Sequence, residues 1–197
     1  MTDEQAMWRV QMHDDTQAFA EIVRRWETPL RRLGVRLLGD VHRAEDVVQE
    51  AFARVFSHRR DYEPGGRFST WIWRITVNLC HDDLRRRQRR PESPWPIDEV
   101  EREGVEGEGM PAVEWAAERP APDEAVATLE RAEAVRRAVL RLPEPYRVVV
   151  ALRHYEGLRF HEVATILGIP EGTAKSRLAE ALDRLEVMLR PWKDEKR

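Results

Sequence analysis

Residues Phe68 to Arg90 read FSTWIWRITVNLCHDDLRRRQRR. Laid out at about 100° per residue, the stretch sorts into faces as an α-helix does. Phe68, Ile72, Ile75 and Leu79 cluster on one side, and Trp73, Val77, Cys80 and Leu84 form an adjoining apolar stripe. Arg74, Asn78, His81 and Arg85, at spacings of four, three and four, share the remaining polar face. Trp71 borders that face, whereas Trp73 points toward the core side. An aromatic edge beside an arginine–amide stripe suits single-stranded nucleic acid, whose bases stack on rings and whose phosphates attract guanidinium groups. A small helical bundle with a solvated basic face fits the same pattern.

The surrounding sequence is also helical in period. Phe19, Ile22, Val23, Trp26, Leu30 and Leu33 recur at spacings of three and four, as one buried helix face requires. Gly39-Asp40 punctuates, and a second helix runs from about Arg43 to Ser57 with Val48, Phe52 and Val55 on one face. Pro64-Gly65-Gly66 is a turn before the 68–90 helix. Further on, an apolar-periodic helix covers Val126–Leu142 and is stopped by Pro143; another spans Tyr146–Tyr155, and two more follow. No strand-like alternation persists, so the expected fold class is all-α, in two small helical domains.

Charge divides the 197 residues more sharply than the net value of −3 suggests. Residues 1–90 hold 17 Arg, no Lys and 14 Asp/Glu; residues 128–197 hold 14 Lys/Arg and 11 Asp/Glu. Between them, residues 91–127 hold 2 Arg against 11 Asp/Glu, with clustered proline and glycine. Such a segment buries too little apolar surface to offset its ordering entropy, so it reads as a flexible acidic linker between domains 1–90 and 128–197. Trp95, Ile97, Val113 and Trp115 are unusual for a spacer and suit packing on a neighbouring domain or on a partner.

Phe160 to Leu185 read FHEVATILGIPEGTAKSRLAEALDRL. Phe160, Val163, Ala164 and Leu167 make one helix face, and Gly168 supplies the left-handed cap. Pro170 and Glu171 suit the start of a second helix, which buries Ala174, Leu178, Ala181 and Leu185. Two short helices around a glycine turn form a helix-turn-helix, although an ordinary αα-hairpin shares the pattern. In a DNA-binding version the second helix enters the major groove and presents Thr173, Lys175, Ser176 and Arg177.

Other function classes fit less well. The N-terminal stretch has no apolar h-region, and no run approaches the length of a membrane span. One cysteine, Cys80, excludes an internal disulfide framework and fits a cytoplasmic protein. His81, Asp82 and Asp83 diverge around a helix, and His154, Glu156, His161 and Glu162 lack HExxH spacing, so no metal or other cofactor is expected. Cys80 has no nearby candidate base, and no catalytic residue is assigned. A stand-alone helix-turn-helix regulator acting as a homodimer explains residues 128–190 but leaves the aromatic–basic helix without a purpose.

Together the pieces resemble an extracytoplasmic-function (ECF) sigma factor, over about residues 18–90 and 125–190. AFAEIVRRWETPLRRLGVRLLGD is similar to the family's first conserved helix, and AEDVVQEAFARVF to its polymerase-clamp-binding helix. The 68–90 stretch resembles the promoter-melting, −10-reading segment, and LPEPYRVVVALRHYEGLRFHEVATILGIPEGTAKSRLAEALDRL the −35-reading domain. The resemblance implies a non-enzymatic factor whose partners are core RNA polymerase (clamp helices and flap) and promoter DNA, duplex at −35 and single-stranded at −10. An anti-sigma factor is kept as a further candidate partner. It implies clamp docking by Asp46, Val47, Val48, Gln49, Glu50 and Phe52, with Val48 and Phe52 equally suited to the core. It assigns −10 reading to Phe68, Ser69, Trp71, Arg74, Asn78, His81 and Arg85, with Asn78 in the pocket of a flipped base beside the loop from Tyr62 to Phe68. It assigns −35 reading to Thr173, Lys175, Ser176, Arg177 and Glu180. Glu180 and Leu182 stand where the family often carries basic residues; Glu180 in a groove repels phosphate or accepts from a cytosine amino group, which implies an altered −35 preference or fewer backbone contacts. The acidic linker is expected to thread a polymerase channel, where a polyanion can mimic RNA.

Overall fold

The computed structural model describes residues 1–63, 65–89 and 125–194, with the side chains of 125–128 and 191–194 set aside. Its described residues contain eight α-helices and no strand: α1 (Asp3–His13), α2 (Thr16–Leu38), α3 (Val41–Ser57), α4 (Phe68–Arg89), α5 (Ala125–Arg141), α6 (Glu144–Val150), α7 (Phe160–Leu167) and α8 (Glu171–Asp194). A 3₁₀ turn, Arg59–Asp61, precedes α4, and a π-helical segment, Ala151–Tyr155, continues α6. The expected linker lies, for residues 91–124, outside the described residues. Its composition-based end is corrected: α5 begins at Ala125, before residue 128, because Ala125–Arg141 carries a continuous helical pattern.

Local signals set the helix ends. Thr2 and Gln5 form a capping box, the threonine oxygen accepting from the Gln5 amide at 3.2 Å and the glutamine returning a bond at 2.9 Å. α1 was not anticipated from periodicity; this box, followed by the buried Ala6, Met7 and Val10, is the signal that marks it. Asp15 caps α2 by accepting from the Gln17 and Ala18 amides, and Asp40 caps α3 through the Arg43 amide. Between them Gly39 takes φ 74°, a left-handed value that other residues adopt at a cost. The turn brings α2 so close to α3 that a Cβ on Gly34 would stand 2.9 Å from the Cβ of Ala44.

Burial follows amphipathic phase. Ile22, Leu30 and Leu33 of α2, Val55 of α3, and Phe68, Ile72 and Val77 of α4 fill the N-terminal core. A second cluster centres on Leu142, Val150 and Ala181, with Tyr146, Leu178 and Leu185 against it. The two units do not stand apart. Val148, Val149, Ala151, Leu152, Val163, Ile166 and Ala174 belong to the same continuous apolar cluster as the N-terminal core.

Polar contacts border this seam. Arg36 of α2 is 5% exposed and pairs with Glu156 at 2.7 Å, while its guanidinium carbon lies 4.4 Å from the centroid of the Tyr155 ring. The π-helical turn, closed by the Glu156 amide on the Ala151 carbonyl at 3.1 Å, presents Tyr155 and Glu156 to Arg36. Burial pushes the Glu156 carboxyl above its usual value, with Arg36 and Arg32 opposing. Arg147 donates to the Leu37 carbonyl, so the end of α2 is held from α6 as well.

The Gly34 contact carries a stability prediction. Gly34→Ala adds a methyl group against a second backbone, and overpacking of about 1–3 kcal/mol outweighs a helix-propensity gain of about 1 kcal/mol. Urea unfolding of the full chain is expected to show a net loss, partly recovered when Ala44→Gly is added. A Gly34→Ala chain as stable as the original would show that the α2–α3 approach is not tight.

Candidate nucleic-acid interface

The polar face of α4 is assembled as the helical phase predicts. Arg74, Asn78 and Arg85 are exposed, Ser69 and Trp71 are half-buried, and Trp73 is buried in the core. Phe68, given to −10 reading by the resemblance, is fully buried, as its apolar phase predicts, and meets Trp26 and Tyr62 edge-on. It is corrected from a contact residue to a support beneath Trp71. Trp71 rests on this aromatic base, its ring 5.3 Å from Tyr62 and 6.1 Å from Phe68. Beside it opens a cavity of about 580 Å³, walled by Tyr62, Glu63, Gly66 and Arg67 of the preceding loop and by Thr70, Trp71 and Arg74.

The far wall of that cavity comes from α7, through His161, Glu162 and Thr165. Arg67 pairs with Glu162 at 2.6 Å, and the Arg74 guanidinium donates to the Thr165 carbonyl. Farther along α4, His81 Nε2 lies 2.9 Å from a Glu144 oxygen, off the line of a hydrogen bond. Burial pushes the His81 imidazole below its ordinary value, and the opposing carboxylates of Glu144 and Asp82 only partly offset it. Arg74 and His81 are thus engaged by the C-terminal unit, while Asn78 and Arg85 face outward.

The α3 residues separate by burial. Val47 and Val48 are 6% exposed and Phe52 is 8% exposed, all within the core. Val48 and Phe52 thus follow their core alternative on the buried stripe of the helix, whereas Val47, though largely buried, also lines a surface cleft. Asp46, Gln49 and Glu50 are exposed, and Glu50 accepts from Arg54 at 2.8 Å. A charged cleft of about 790 Å³ runs from Asp46, Val47 and Glu50 to Asp82, Arg85 and Arg89 of α4. Arg43 and Asp83 pair across it and tie α3 to α4. Cys80 is buried beneath, its thiol pushed up to about 12 mainly by burial and also by Asp83, so it is not a thiolate at neutral pH.

The helix-turn-helix forms as expected. Gly168 adopts φ 63°, and the amides of Gly168 and Ile169 both reach the Ala164 carbonyl, closing α7. Ala174 and Ala181 bury one face of α8. On the other face Lys175 and Ser176 are exposed, and Thr173 and Arg177 are half-buried. Lys175 pairs with Glu171 at 2.7 Å, and the Ser176 hydroxyl donates to the Thr173 carbonyl at 3.1 Å. Glu180 is exposed but not a lone negative charge: Arg184, one turn on, donates to it at 2.8 Å and stacks over the Tyr146 ring at 4.6 Å. The Arg184 guanidinium thus offsets the Glu180 charge on this face. The i,i+4 spacing of Glu180 and Arg184 is a sequence signal for this pair.

Among the described residues, no group of three or more His, Cys, Asp or Glu side chains converges on a metal-sized site, and no helix is long and apolar enough to cross a membrane.

Comparison with known proteins agrees with this arrangement. Residues 22–90 match the family model for sigma-70 region 2, and residues 132–185 that for sigma-70 region 4. The chain is 35% identical over 176 residues to the ECF RNA polymerase sigma factor SigW of Bacillus subtilis, covering 89% of this chain and 91% of that one. It is 32% identical over 193 residues to the ECF RNA polymerase sigma-E factor of Escherichia coli K12, covering 97% and 96%. The fold is shared with CnrH, solved with the cytosolic domain of CnrY, at a TM-score of 0.67 and 20% identity over 96% of this chain and 97% of that one. It is also shared with RpoE of Bartonella quintana, solved with the anti-sigma factor NepR, at a TM-score of 0.63 and 22% identity over 87% and 96%. With sigma-70 region 2 and region 4 matched in order and relatives at 32–35% identity over most of both chains, the chain belongs to the extracytoplasmic-function family of RNA polymerase sigma factors.

Proposed function

We propose that this sigma factor docks on core polymerase through the exposed edge of α3, Asp46, Gln49 and Glu50, and reads promoter DNA with two separate surfaces. The observation that carries the reading is the α4 face, where Trp71 and Arg74 border one cavity and Asn78 stands exposed one turn beyond Arg74. A base taken out of the stack costs a few kcal/mol to extrude, and stacking on an aromatic ring returns about 1–3 kcal/mol. Trp71 supplies the ring, Asn78 an amide with both donor and acceptor for a base edge, and Arg74 and Arg85 the charge that follows the strand. At −35, Thr173, Lys175, Ser176 and Arg177 meet the major groove, and the Glu180–Arg184 pair sets the far end of the footprint. The factor acts in the cytoplasm and opens DNA by binding, without bond-making by its own side chains. From the NepR complex of RpoE we extend an anti-sigma regulator to this chain. A role for the acidic linker in a polymerase channel is part of the same proposal.

The packed arrangement of the units bears on this function. The −35 and −10 elements are about 25 base pairs apart, roughly 85 Å of duplex at about 3.4 Å per base pair. In the packed chain α7 lies directly on α4, with Arg67 on Glu162 and Arg74 on the Thr165 carbonyl. Both surfaces cannot read one promoter in that state. Promoter reading requires the units to separate, and docking on polymerase provides the spacing.

Two outcomes are expected. Asn78→Ala slows open-complex formation by on the order of tenfold or more while leaving core affinity unchanged, measured by permanganate reactivity and by core titration. Equal loss of both would indicate misfolding rather than lost base capture. Cysteines introduced at Arg67 and Glu162, joined by a short bis-maleimide, hold α7 on α4, and run-off transcription with core polymerase is expected to disappear. The same variant left unlinked remains active, and full activity of the linked form would contradict the requirement for separation.

A further inference from the structure

The helix α1 precedes the region matched by the family model, which begins at residue 22, and its polar contacts converge on the base cavity from outside. Gln11 is half-buried, and its side-chain amide donates to two carbonyls of the loop backbone. These are the carbonyl of Arg60 at 3.2 Å and the carbonyl of Tyr62 at 3.0 Å. Just beyond α1, Asp14 accepts from Arg59 at 2.6 Å. The loop that leads from α3 to α4 is thus fastened to α1 at three successive points, 59, 60 and 62.

The fastening reaches the cavity through Tyr62. Its side chain is buried, its hydroxyl donates to the Gly66 carbonyl across the loop, and its ring meets both Phe68 and Trp71. The other end of α1 acts on the same aromatic group. Asp3 accepts from the Trp26 indole at 3.0 Å and from Arg25 at 2.9 Å, and Trp26 meets Phe68 and Trp73 edge-on at 5.9 and 5.4 Å. One end of α1 therefore orients the floor beneath Trp71, and the other fixes the loop that faces it.

We propose that Gln11 is a positioning residue for −10 base capture. A primary amide has two N–H donors, and here both requirements of the loop backbone, at Arg60 and Tyr62, are met by one side chain. Without it, part of the cost of ordering the loop falls on the binding step and weakens capture of the base. The inference rests on the reading of Trp71, Arg74 and Asn78 as the base-capturing surface. Gln11 itself contacts no base; it acts through the backbone of residues 60–62 and the Tyr62 ring.

The test uses holoenzyme reconstituted from the full chain and core polymerase. Its probe is a fluorescent single-stranded −10 non-template oligonucleotide taken from a promoter selected in a randomised run-off library. Gln11→Ala is expected to weaken oligonucleotide binding by about five- to tenfold. Gln11→Glu, which turns an acceptor toward two carbonyl oxygens, is expected to be worse than alanine. Gln11→Lys, which keeps N–H donors at a similar reach, is expected to restore much of the affinity. Core affinity and the thermal midpoint of the free chain should stay within error for all three. Arg74→Ala and Asn78→Ala run alongside. If those two lose binding while Gln11→Ala does not, the positioning role is wrong and the base-capture surface stands. If Gln11→Ala lowers core affinity or the midpoint in step with binding, or Gln11→Lys fails to restore it, the residue is merely structural and the proposal fails. If Arg74→Ala and Asn78→Ala bind as the original does, the capture surface itself is misplaced, and the role of Gln11 falls with it.

Discussion

The structure depends on one seam, where the apolar faces of α6 and α7 close over α2 and α4. Val148, Val149 and Leu152 on one side and Ile22, Leu33 and Phe68 on the other share one continuous cluster. Apolar burial of this kind is non-directional and says little about register. Register comes from Arg36, which reaches out of α2 to Glu156 and lies over the Tyr155 ring. A buried ion pair gains little over a well-packed apolar substitute, but removing one partner costs about 3–5 kcal/mol because the other charge is left behind. The pair therefore acts as a selector for one packing of the two units more than as a source of stability. The π-helical turn at Ala151–Tyr155 is the local irregularity that aims Tyr155 and Glu156 at it, consistent with the frequent use of such turns at functional positions.

This seam gives the α4 helix two uses that compete. Its buried side builds the N-terminal core, and its polar side is shared between the C-terminal unit and the surface proposed to meet DNA. Arg74 and His81 are engaged from α7 and α6, whereas Asn78 between them is exposed. The contacts on that side are a carbonyl hydrogen bond and a poorly aligned imidazole–carboxylate pair, neither a deeply buried charge pair. The apolar seam and the buried Arg36–Glu156 pair carry the greater resistance to separating the units.

Much of this was legible in the sequence, and the failures have physical causes. The helical phase of residues 68–90 separated Trp73, now in the core, from Arg74 and Asn78, now exposed, because a 3.6-residue period is a property of the chain itself. Gly168, Ile169 and Pro170 marked the turn of the helix-turn-helix for the same reason. Phe68 is given to a surface by resemblance, and Val48 and Phe52 to a surface or the core, yet the apolar pattern places all three on the faces their helices bury, where the structure finds them. Val47, with no such pattern, is largely buried but still lines a cleft. The helix α1 was missed because eleven residues with three buried positions give a weak periodic signal, although Thr2 and Gln5 announced its start. The contact of Arg74 with Thr165 joins residues far apart in the chain, and no local pattern encodes it.

The account rests most heavily on Trp71 facing the non-template strand at −10. A photo-reactive p-benzoylphenylalanine placed at Trp71, in holoenzyme on a selected promoter, reads this contact directly. The account predicts a light-dependent cross-link confined to one or two adjacent non-template nucleotides within −10. Cross-linking to the template strand, to duplex outside −10, or only to polymerase would contradict it.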